Sequence, residues 1–288
     1  MRITVASGKG GTGKTTIATS FAVYLASTTP AFPPLFLDCD VEAPNAHLYL
    51  QPRFTQEQNI SIPIPDVNSE SCTACGKCVQ VCEYNALALL GKTVHVFPQL
   101  CHGCGSCVAT CPVGALSETP NTIGILEAGL ARLQIDFARG VLNIGEPMAV
   151  PVIRQLKKWI QPHADQTVIV DASPGTSCPV VEALRGSDFF LLVTEPTPFG
   201  LHDLKLAAQL SRELNIPAGV IINRDGIGDA DVDNFCNNER LPILMRVPFD
   251  RTIAEGTARG QTLIDIYPEY NSQFQQLLDD ISRNEKRT

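Results

Sequence analysis

Short apolar runs alternate with helical patterns at both ends of the chain. The runs that predict strands cover residues 3–6, 35–38, 167–171, 189–194 and 219–223, with a shorter candidate at 244–247. A glycine-rich loop follows the first run, and the next segment predicts a helix over 15–26. This alternation is typical of an α/β fold with a parallel sheet covered by helices. Each run ends in a polar or charged residue, and ligands of such sheets gather at the carboxyl ends of the strands.

The middle of the chain breaks this rhythm. Residues 60–66 contain Pro63 and Pro65 and predict a linker, a cysteine-rich block follows, and helical aliphatic sequence is expected to resume near Ile123. We therefore predict a core of residues 1–59 plus 121–288 that is interrupted by an inserted domain at 60–120.

Composition narrows the class of protein. The 288 residues suit about two domains. Residues 1–5 run directly into the glycine loop, and the apolar runs are too short to span a bilayer, so we expect a cytoplasmic protein without a secretory signal. The net charge of −8 argues against nucleic-acid binding. Eight of the eleven cysteines fall between Cys72 and Cys111, which indicates a local ligand cluster in a reducing compartment.

The glycine-rich loop matches the phosphate-binding motif G-x-x-x-x-G-K-[ST] between a predicted strand and a predicted helix. Glycines let backbone amides approach phosphates closely, and the helix N-terminus faces the anion. Lys14 is predicted to reach the β- and γ-phosphates, and the Thr15 hydroxyl to ligate Mg²⁺. The expected nucleotide-binding set is Gly8, Lys9, Gly10, Gly11, Thr12, Gly13, Lys14, Thr15 and Thr16.

The cysteine block repeats C-x₂-C-x₂-C-x₃-C with a period of 29 residues, which is the spacing of bacterial ferredoxins. In that pattern the first three cysteines hold one 4Fe–4S cluster and the fourth ligates the other cluster. Zinc is the competing interpretation, because C-x₂-C pairs also bind it. Glu83 stands where the pattern has proline, which affects the expected potential and shielding of the second cluster. The predicted ligand sets are Cys72, Cys75, Cys78 and Cys111 for the first cluster, and Cys101, Cys104, Cys107 and Cys82 for the second.

A second lysine, Lys9, lies early in the phosphate loop, in the segment G-K-G-G-T-G-K-T-T. This loop resembles the deviant Walker A motif of the MinD/ParA/nitrogenase-iron-protein class of P-loop ATPases. The resemblance implies that Lys9 reaches the nucleotide of a facing subunit, so that ATP bridges a homodimer. A solvated loop lysine is the alternative.

The resemblance also assigns roles to residues that follow the predicted strands. It implies that Asp40 orients the attacking water, that Asp38 lies near the Mg²⁺ hydration shell, and that Asp171 is the Walker B acid that holds Mg²⁺ through water. The implied catalytic set is Lys9, Lys14, Asp40 and Asp171. Solvated or helix-capping acids are the alternative. The implied adenine pocket consists of Asn223 and Arg224 with Pro248 and Asp250, where simple turns are the alternative.

Together with L-D-C-D-V-E-A-P-N at 37–45 and D-A-S-P-G-T-S-C-P-V at 171–180, these motifs resemble MinD-superfamily ATPases that contain an inserted ferredoxin domain. The resemblance implies a parallel-sheet P-loop NTPase core of the deviant Walker A class with a small α+β bacterial-type ferredoxin insertion. It implies a Mg²⁺-dependent, homodimeric ATPase in which nucleotide state affects two 4Fe–4S clusters, for electron transfer to an unidentified redox partner or for iron–sulfur or metallocofactor assembly.

Two other functions stay open from the sequence. One is an iron–sulfur cluster carrier of the Mrp type, although the C-terminal part has only Cys236 where a C-x₂-C pair is expected. The other is a MinD/ParA-like positioning ATPase that binds a membrane or scaffold. The apolar helical stripe of Phe274, Leu277, Leu278 and Ile281 is expected to dock on the core, because Asp279 and Asp280 oppose an anionic surface. Cys178 lies seven residues beyond Asp171, where the nitrogenase iron protein has a cluster ligand, but a structural role is the simpler interpretation.

Overall fold

A computed structural model describes residues 1–285, which form one large sheet with helices on both faces and a small cysteine-rich module beside it. The described strands are β1 (Arg2–Ala6), β2 (Leu35–Cys39), β3 (Arg53–Val67), β4 (Leu87–Leu90), β5 (Thr93–Val96), β6 (Leu116–Leu130), β7 (Asp136–Leu142), β8 (Val168–Ala172), β9 (Phe189–Thr194), β10 (Ala218–Asp225) and β11 (Ile243–Pro248). The described helices are α1 (Lys14–Thr28), α2 (His47–Leu50), α3 (Lys77–Gln80), α4 (Ser106–Thr110), α5 (Ala149–Trp159), α6 (Cys178–Leu184), α7 (Pro198–Glu213), α8 (Asp231–Asn238), α9 (Arg251–Ala258), α10 (Leu263–Ile266) and α11 (Tyr270–Glu285), with short 3₁₀ turns at Pro98–Leu100 and Arg132–Gln134.

The large sheet has the strand order β11-β10-β9-β1-β8-β2-β7-β6-β3. The strands from β11 to β7 are all parallel, whereas β6 and β3 are antiparallel to their neighbours. The predicted strands and the first helix are therefore confirmed to within a few residues, as is the α/β fold with a mostly parallel sheet. The order places β1 between β8 and β9, so the phosphate loop after β1 lies beside the residues that end β8 and β9.

Apolar side chains fill both faces of this sheet. On one face α1 and α11 cover the strands, with the rings of Phe21 and Phe274 stacked 5.7 Å apart. On the other face α5, α6, α7 and α8 pack against the sheet. Phe274, Leu277 and Ile281 of the C-terminal stripe are fully buried, so α11 docks on the core as expected. In the described part of the chain, no helix is long and apolar enough to cross a membrane.

Strands β3 and β6 form a two-stranded ribbon, and each strand is 15 residues long. Two expectations from the sequence are therefore wrong. Residues 60–66 belong to β3 and are not a linker, and the sequence near Ile123 continues strand β6 and is not helical. The proposed domain boundaries at 60 and 120 fall inside this ribbon.

The ribbon carries the cysteine-rich module at its far end. Strand β7 ends at Leu142, which pairs with Gly124, so residues 116–123 of β6 extend beyond the carboxyl ends of the parallel strands. At the usual rise per residue this extension spans about 25 Å. The module at 68–115 contains α3, α4 and the hairpin of β4 and β5, and has its own small apolar cluster around Cys78, Leu87 and Cys107. The module thus projects from the edge of the sheet formed by the carboxyl ends of the parallel strands, which is also the edge that carries the phosphate loop.

Candidate functional site

The phosphate loop connects β1 to α1 through backbone conformations that require glycine. Gly11 and Gly13 have φ angles of 82° and 91°. A Cβ atom at Gly13 would lie 2.2 Å from Nδ2 of Asn223, which donates a hydrogen bond to the Thr12 carbonyl oxygen at 2.7 Å. Asn223 therefore packs directly on the loop, which places a residue predicted for the adenine pocket against the predicted phosphate site.

This close approach can be tested on the protein without nucleotide. Replacing Gly13 with alanine should lower the free energy of unfolding by about 2 kcal/mol, because the left-handed conformation is unfavourable for alanine and the bond from Asn223 is lost. Gly10→Ala is the matched control, because its φ is not positive and a Cβ there meets no atom within 4 Å. Urea unfolding monitored by circular dichroism measures both variants. Equal stability of the two variants would contradict this account of the loop.

A buried charge cluster lies beneath the loop. The Lys14 Nζ is 2.9 Å from Oδ1 of Asp171 and 3.3 Å from Oδ2 of Asp40. The Thr15 hydroxyl donates a hydrogen bond to Oδ2 of Asp171 at 2.6 Å. Burial alone would lower the pKa of Lys14, but Asp171 and Asp40 together raise it, so the ammonium stays charged. The structure thus brings together the four residues that were predicted to bind phosphate, to hold Mg²⁺ and to orient the attacking water.

Asp38 has a different place in this cluster. Its buried carboxylate accepts hydrogen bonds from the backbone N–H groups of Asp40 at 3.2 Å and Ala46 at 3.1 Å. Burial and the nearby Asp171 raise the pKa of Asp38 to about 8. Burial also raises the pKa of Asp40. Asp40 lines the cleft next to the loop. Asp38 instead stabilises the backbone of the segment that contains Asp40 through its two hydrogen bonds.

Lys9 is held by a residue that the sequence analysis did not single out. The Lys9 Nζ lies 3.1 Å from Oε2 of Glu195, and Nη1 of Arg224 lies 2.7 Å from Oε1 of the same carboxylate. The Glu195 side chain is only 5% exposed. Glu195 directly follows the apolar run of β9. An acid at the end of a predicted strand is the same pattern that indicated Asp40 and Asp171, so the sequence contained a signal for Glu195 as well. Lys9 and Arg224 therefore share the carboxylate of Glu195 and are not part of the charge cluster around Lys14.

A cleft of about 450 Å³ opens above the loop. It joins Lys14, Thr15 and Thr16 to the four residues predicted for the adenine pocket and to Phe249, which belongs to the same predicted loop as Pro248 and Asp250. It adds Asn45, Tyr49 and Ile253, to which the sequence assigned no role. The Asp250 carboxylate already accepts hydrogen bonds from the backbone of Thr252 at 2.6 Å and from the Tyr267 hydroxyl at 3.1 Å. Asp250 therefore begins α9 as its N-cap, in addition to lining the cleft.

The eight clustered cysteines separate into two groups around two cavities of the module. The first cavity is lined by Cys72, Cys75, Cys78 and Cys111, and the second by Cys82, Cys101, Cys104 and Cys107. In each group the fourth cysteine comes from the other sequence repeat. Backbone N–H groups of Ala86 and Ala115 donate to the sulfurs of Cys82 and Cys111 at 3.2 and 3.3 Å. These two contacts are 29 residues apart, so the repeat in sequence is also a repeat in structure.

Two stacked aromatic rings line the second cavity. The rings of Tyr84 and His102 stack with centroids 3.6 Å apart and planes 7° apart, and both residues line this cavity. Tyr84 follows Glu83, the residue that replaces the proline of the ferredoxin pattern. The stack therefore forms part of the wall of the cavity next to Glu83, the position where the missing proline was expected to affect shielding.

The three other cysteines lie outside the module. Cys39 and Cys236 are buried, and burial raises their pKa values to about 12 and about 11. Both thiols therefore pack in the core, where a raised pKa keeps them in the thiol form. Cys178 is exposed at the first residue of α6.

The strand, loop and helix around Lys14, next to a strand that carries Asp171 near its carboxyl end, define a P-loop nucleotide-binding protein. The family of CobQ/CobB/MinD/ParA nucleotide binding domains matches residues 3–264, and the chain belongs to this family of MinD/ParA-type ATPases. The sequence-based recognition of the nucleotide-binding core is therefore confirmed.

Individual relatives differ in how much of the chain they resemble. An uncharacterized protein of Methanocaldococcus jannaschii is 29% identical over 269 residues, covering 92% of this chain and 91% of the relative. The septum site-determining protein MinD of Pyrococcus horikoshii, solved as a complex with Mg-ADP, superposes with a TM-score of 0.58 at 18% identity and covers 98% of this chain and 96% of the relative. An iron-sulfur cluster carrier protein of Aquifex aeolicus is 28% identical over 117 residues, which are 35% of this chain and 32% of the relative.

Proposed function

We propose that this protein is a Mg²⁺-dependent, homodimeric ATPase whose nucleotide state controls two 4Fe–4S clusters held by an inserted ferredoxin domain at about 60–120. The observation that carries the proposal is the arrangement of the eight cysteines. They surround two cavities, four to each, and each set takes its fourth member from the other repeat. This crossed arrangement is the ligand pattern of two-cluster ferredoxins.

The geometry of the thiols favours iron–sulfur clusters over zinc. A structural zinc ion needs four ligands that converge on one point at about 2.0–2.3 Å. Among residues 1–285, no three or more His, Cys, Asp or Glu side chains are arranged to hold a single ion. The four thiols of each set instead line a common cavity. The backbone N–H groups that donate hydrogen bonds to the sulfurs of Cys82 and Cys111 suit thiolates, which carry negative charge. When bound, 4Fe–4S clusters supply one-electron transfer at low potential.

The nucleotide side of the proposal rests on the charge cluster beneath the loop. Magnesium prefers oxygen ligands, and the Thr15 hydroxyl, which lines the cleft, lies 2.6 Å from the buried carboxylate of Asp171. Lys14 supplies the charge for the β- and γ-phosphates, and Asp40 lines the same cleft for the attacking water. The solved MinD relative was crystallised with Mg-ADP, which agrees with this assignment.

The dimer is inferred from Lys9. Its ammonium contacts Glu195 and does not line the cleft of its own chain, which supports a phosphate partner in a second copy. Glu195 would release Lys9 when that partner arrives, and Arg224 would remain to neutralise the buried carboxylate.

Iron content tests the proposal directly. Protein purified without oxygen should contain about eight iron atoms and eight sulfides per chain, and the EPR spectrum of the reduced protein should change between Mg-ADP and Mg-ATP. Cys75→Ala and Cys104→Ala, which affect one set each, should each retain about four irons. Cys178→Ala is the matched control with unchanged iron, since its exposed thiol lies outside both cavities. About two zinc ions per chain in place of iron would overturn the proposal.

A cluster carrier is the second candidate, favoured by the partial similarity to the iron-sulfur cluster carrier protein of Aquifex aeolicus. That similarity covers only 35% of this chain, and the described C-terminal part has no second cysteine within reach of a C-x₂-C pair with Cys236. ATP-dependent transfer of a cluster to an apo-ferredoxin would establish this function, whereas electron transfer with retention of iron would favour the first. ATP-dependent sedimentation with liposomes would instead indicate a positioning ATPase.

A further inference from the structure

The ribbon that carries the module bends at Ile123, where it leaves the sheet. Ile60 pairs with Gly124 and Ser61 pairs with Thr122, so Ile123 is an extra residue on β6 and forms a β-bulge. Its side chain is fully buried in the core. Bulges bend the strand that contains them and fix its direction. The direction of the ribbon, and with it the position of the module, is therefore set at Ile123.

Asn143 holds this bulge through two hydrogen bonds. Its backbone N–H donates to the Ile123 carbonyl oxygen at 2.8 Å, and its side-chain amide donates to the Thr122 carbonyl oxygen at 3.0 Å. The preceding residue is tied to the nucleotide site, because the Leu142 N–H donates to the Val41 carbonyl oxygen at 2.8 Å. Two consecutive residues at the end of β7 thus connect the base of the ribbon to the residue that follows Asp40.

Lys14 links this segment to the phosphate loop. Asp40 contacts the Lys14 ammonium, and the phosphates of a nucleotide compete with Asp40 for that charge. Asp40 is followed directly by Val41, whose side chain is fully buried and packs against Gly140 of β7. At Gly140 a Cβ would lie 2.8 Å from Cγ1 of Val41 and 2.7 Å from Cγ1 of Val152, so the packing has no spare room there. A tightly packed contact transmits a displacement instead of absorbing it.

We propose that Asn143 is a positioning residue through which nucleotide binding at Asp40 sets the direction of the ribbon and of the cysteine-bearing module. This inference rests on the proposed function and names its means of coupling. ATP and ADP can place the module differently only if some element of the protein has two conformations and the two nucleotides bind these conformations with different affinity. The ribbon, pivoting at the Ile123 bulge, is that element.

Hydrogen–deuterium exchange tests the role of Asn143 on the full chain, purified without oxygen. Exchange of amides at 60–67 and 116–123 is compared with Mg-ADP and with Mg²⁺ and a non-hydrolysable ATP analogue. Asn143→Asp keeps the size of the side chain, but its carboxylate cannot donate to Thr122. One net hydrogen bond corresponds to about fivefold in an opening equilibrium, so exchange in the ribbon should differ up to about fivefold between the two nucleotides in the wild type and should become nearly equal in Asn143→Asp.

Ser61→Ala is the matched control. It removes the contact between the Ser61 and Thr122 hydroxyls, 3.1 Å apart in the same ribbon, and leaves Asn143 in place. It should keep the wild-type difference, and Asn143→Ala, which also lacks the donor, should behave like Asn143→Asp. A wild-type ribbon that exchanges equally in both nucleotides, or an undiminished difference in Asn143→Asp, would overturn the inference. Exchange needs no iron, so failure of the proposed function appears separately, as absent iron.

Discussion

Replacing Lys14 with methionine should lower kcat for ATP hydrolysis by about 10²–10³-fold, the usual cost of removing one charged group that stabilises a transition state. Methionine is unbranched and close to lysine in length, but it carries no charge that could interact with phosphate. The Lys14 ammonium lies between Asp171 and Asp40 at 2.9 and 3.3 Å, so the variant also leaves two buried carboxylates without their cation. Steady-state phosphate release at saturating ATP measures the effect, and circular dichroism checks the fold.

Lys9→Met is the informative companion to Lys14→Met. Because Lys9 contacts Glu195 and not its own cleft, its loss should leave the affinity of one chain for ATP unchanged while hydrolysis falls. Mixing the two inactive variants should then recover up to about a quarter of wild-type activity, since half of the dimers are mixed and each mixed dimer has one complete site. If Lys9 acts within its own chain, mixing recovers nothing. If Lys9 is a solvated lysine, Lys9→Met keeps its wild-type activity without mixing.

The nucleotide-binding core could be predicted from sequence because its signals are local. The parallel strands are short continuous apolar runs, and a P-loop motif has to lie between a strand and a helix. The carboxyl ends of parallel strands meet at one edge, which brought Asp40, Asp171 and Asn223 to the loop as expected. Glu195 follows the same rule and was still missed, because its partners Lys9 and Arg224 are distant in sequence.

The ribbon was missed because prolines obscured a strand pattern. Proline removes a ladder hydrogen bond, so Pro63 and Pro65 indicated a linker. Strand β3, however, is at the edge of the sheet, where proline is tolerated. The alternation of buried Ile60 and Ile62 with exposed Ser61 and Pro63 is the period-two signal that predicts this strand. The bulge at Ile123 depends on pairing with β3 and β7, and no local pattern in the sequence specifies it.

Cys82 and Cys111 each line the cavity of the other repeat, and this crossed arrangement predicts which pairs of cysteines ligate the same cluster. Cys72 and Cys111 line the same cavity although they are 39 positions apart in sequence, whereas Cys72 and Cys82 belong to the same repeat but line different cavities. A cluster that has already lost one ligand loses little more when a second ligand of the same cluster is removed. Two substitutions in different sets instead remove both clusters.

Two double variants therefore separate the crossed arrangement from a sequential one. Cys72→Ala with Cys111→Ala should retain about four irons per chain, the same as either single variant, because only the first cluster is lost. Cys72→Ala with Cys82→Ala should retain almost none. Ligation within each repeat would exchange these two results. Iron and sulfide are measured on anaerobically purified protein, and unchanged nucleotide binding by both double variants shows that the core remains folded, because the module has an apolar cluster separate from the two that cover the sheet.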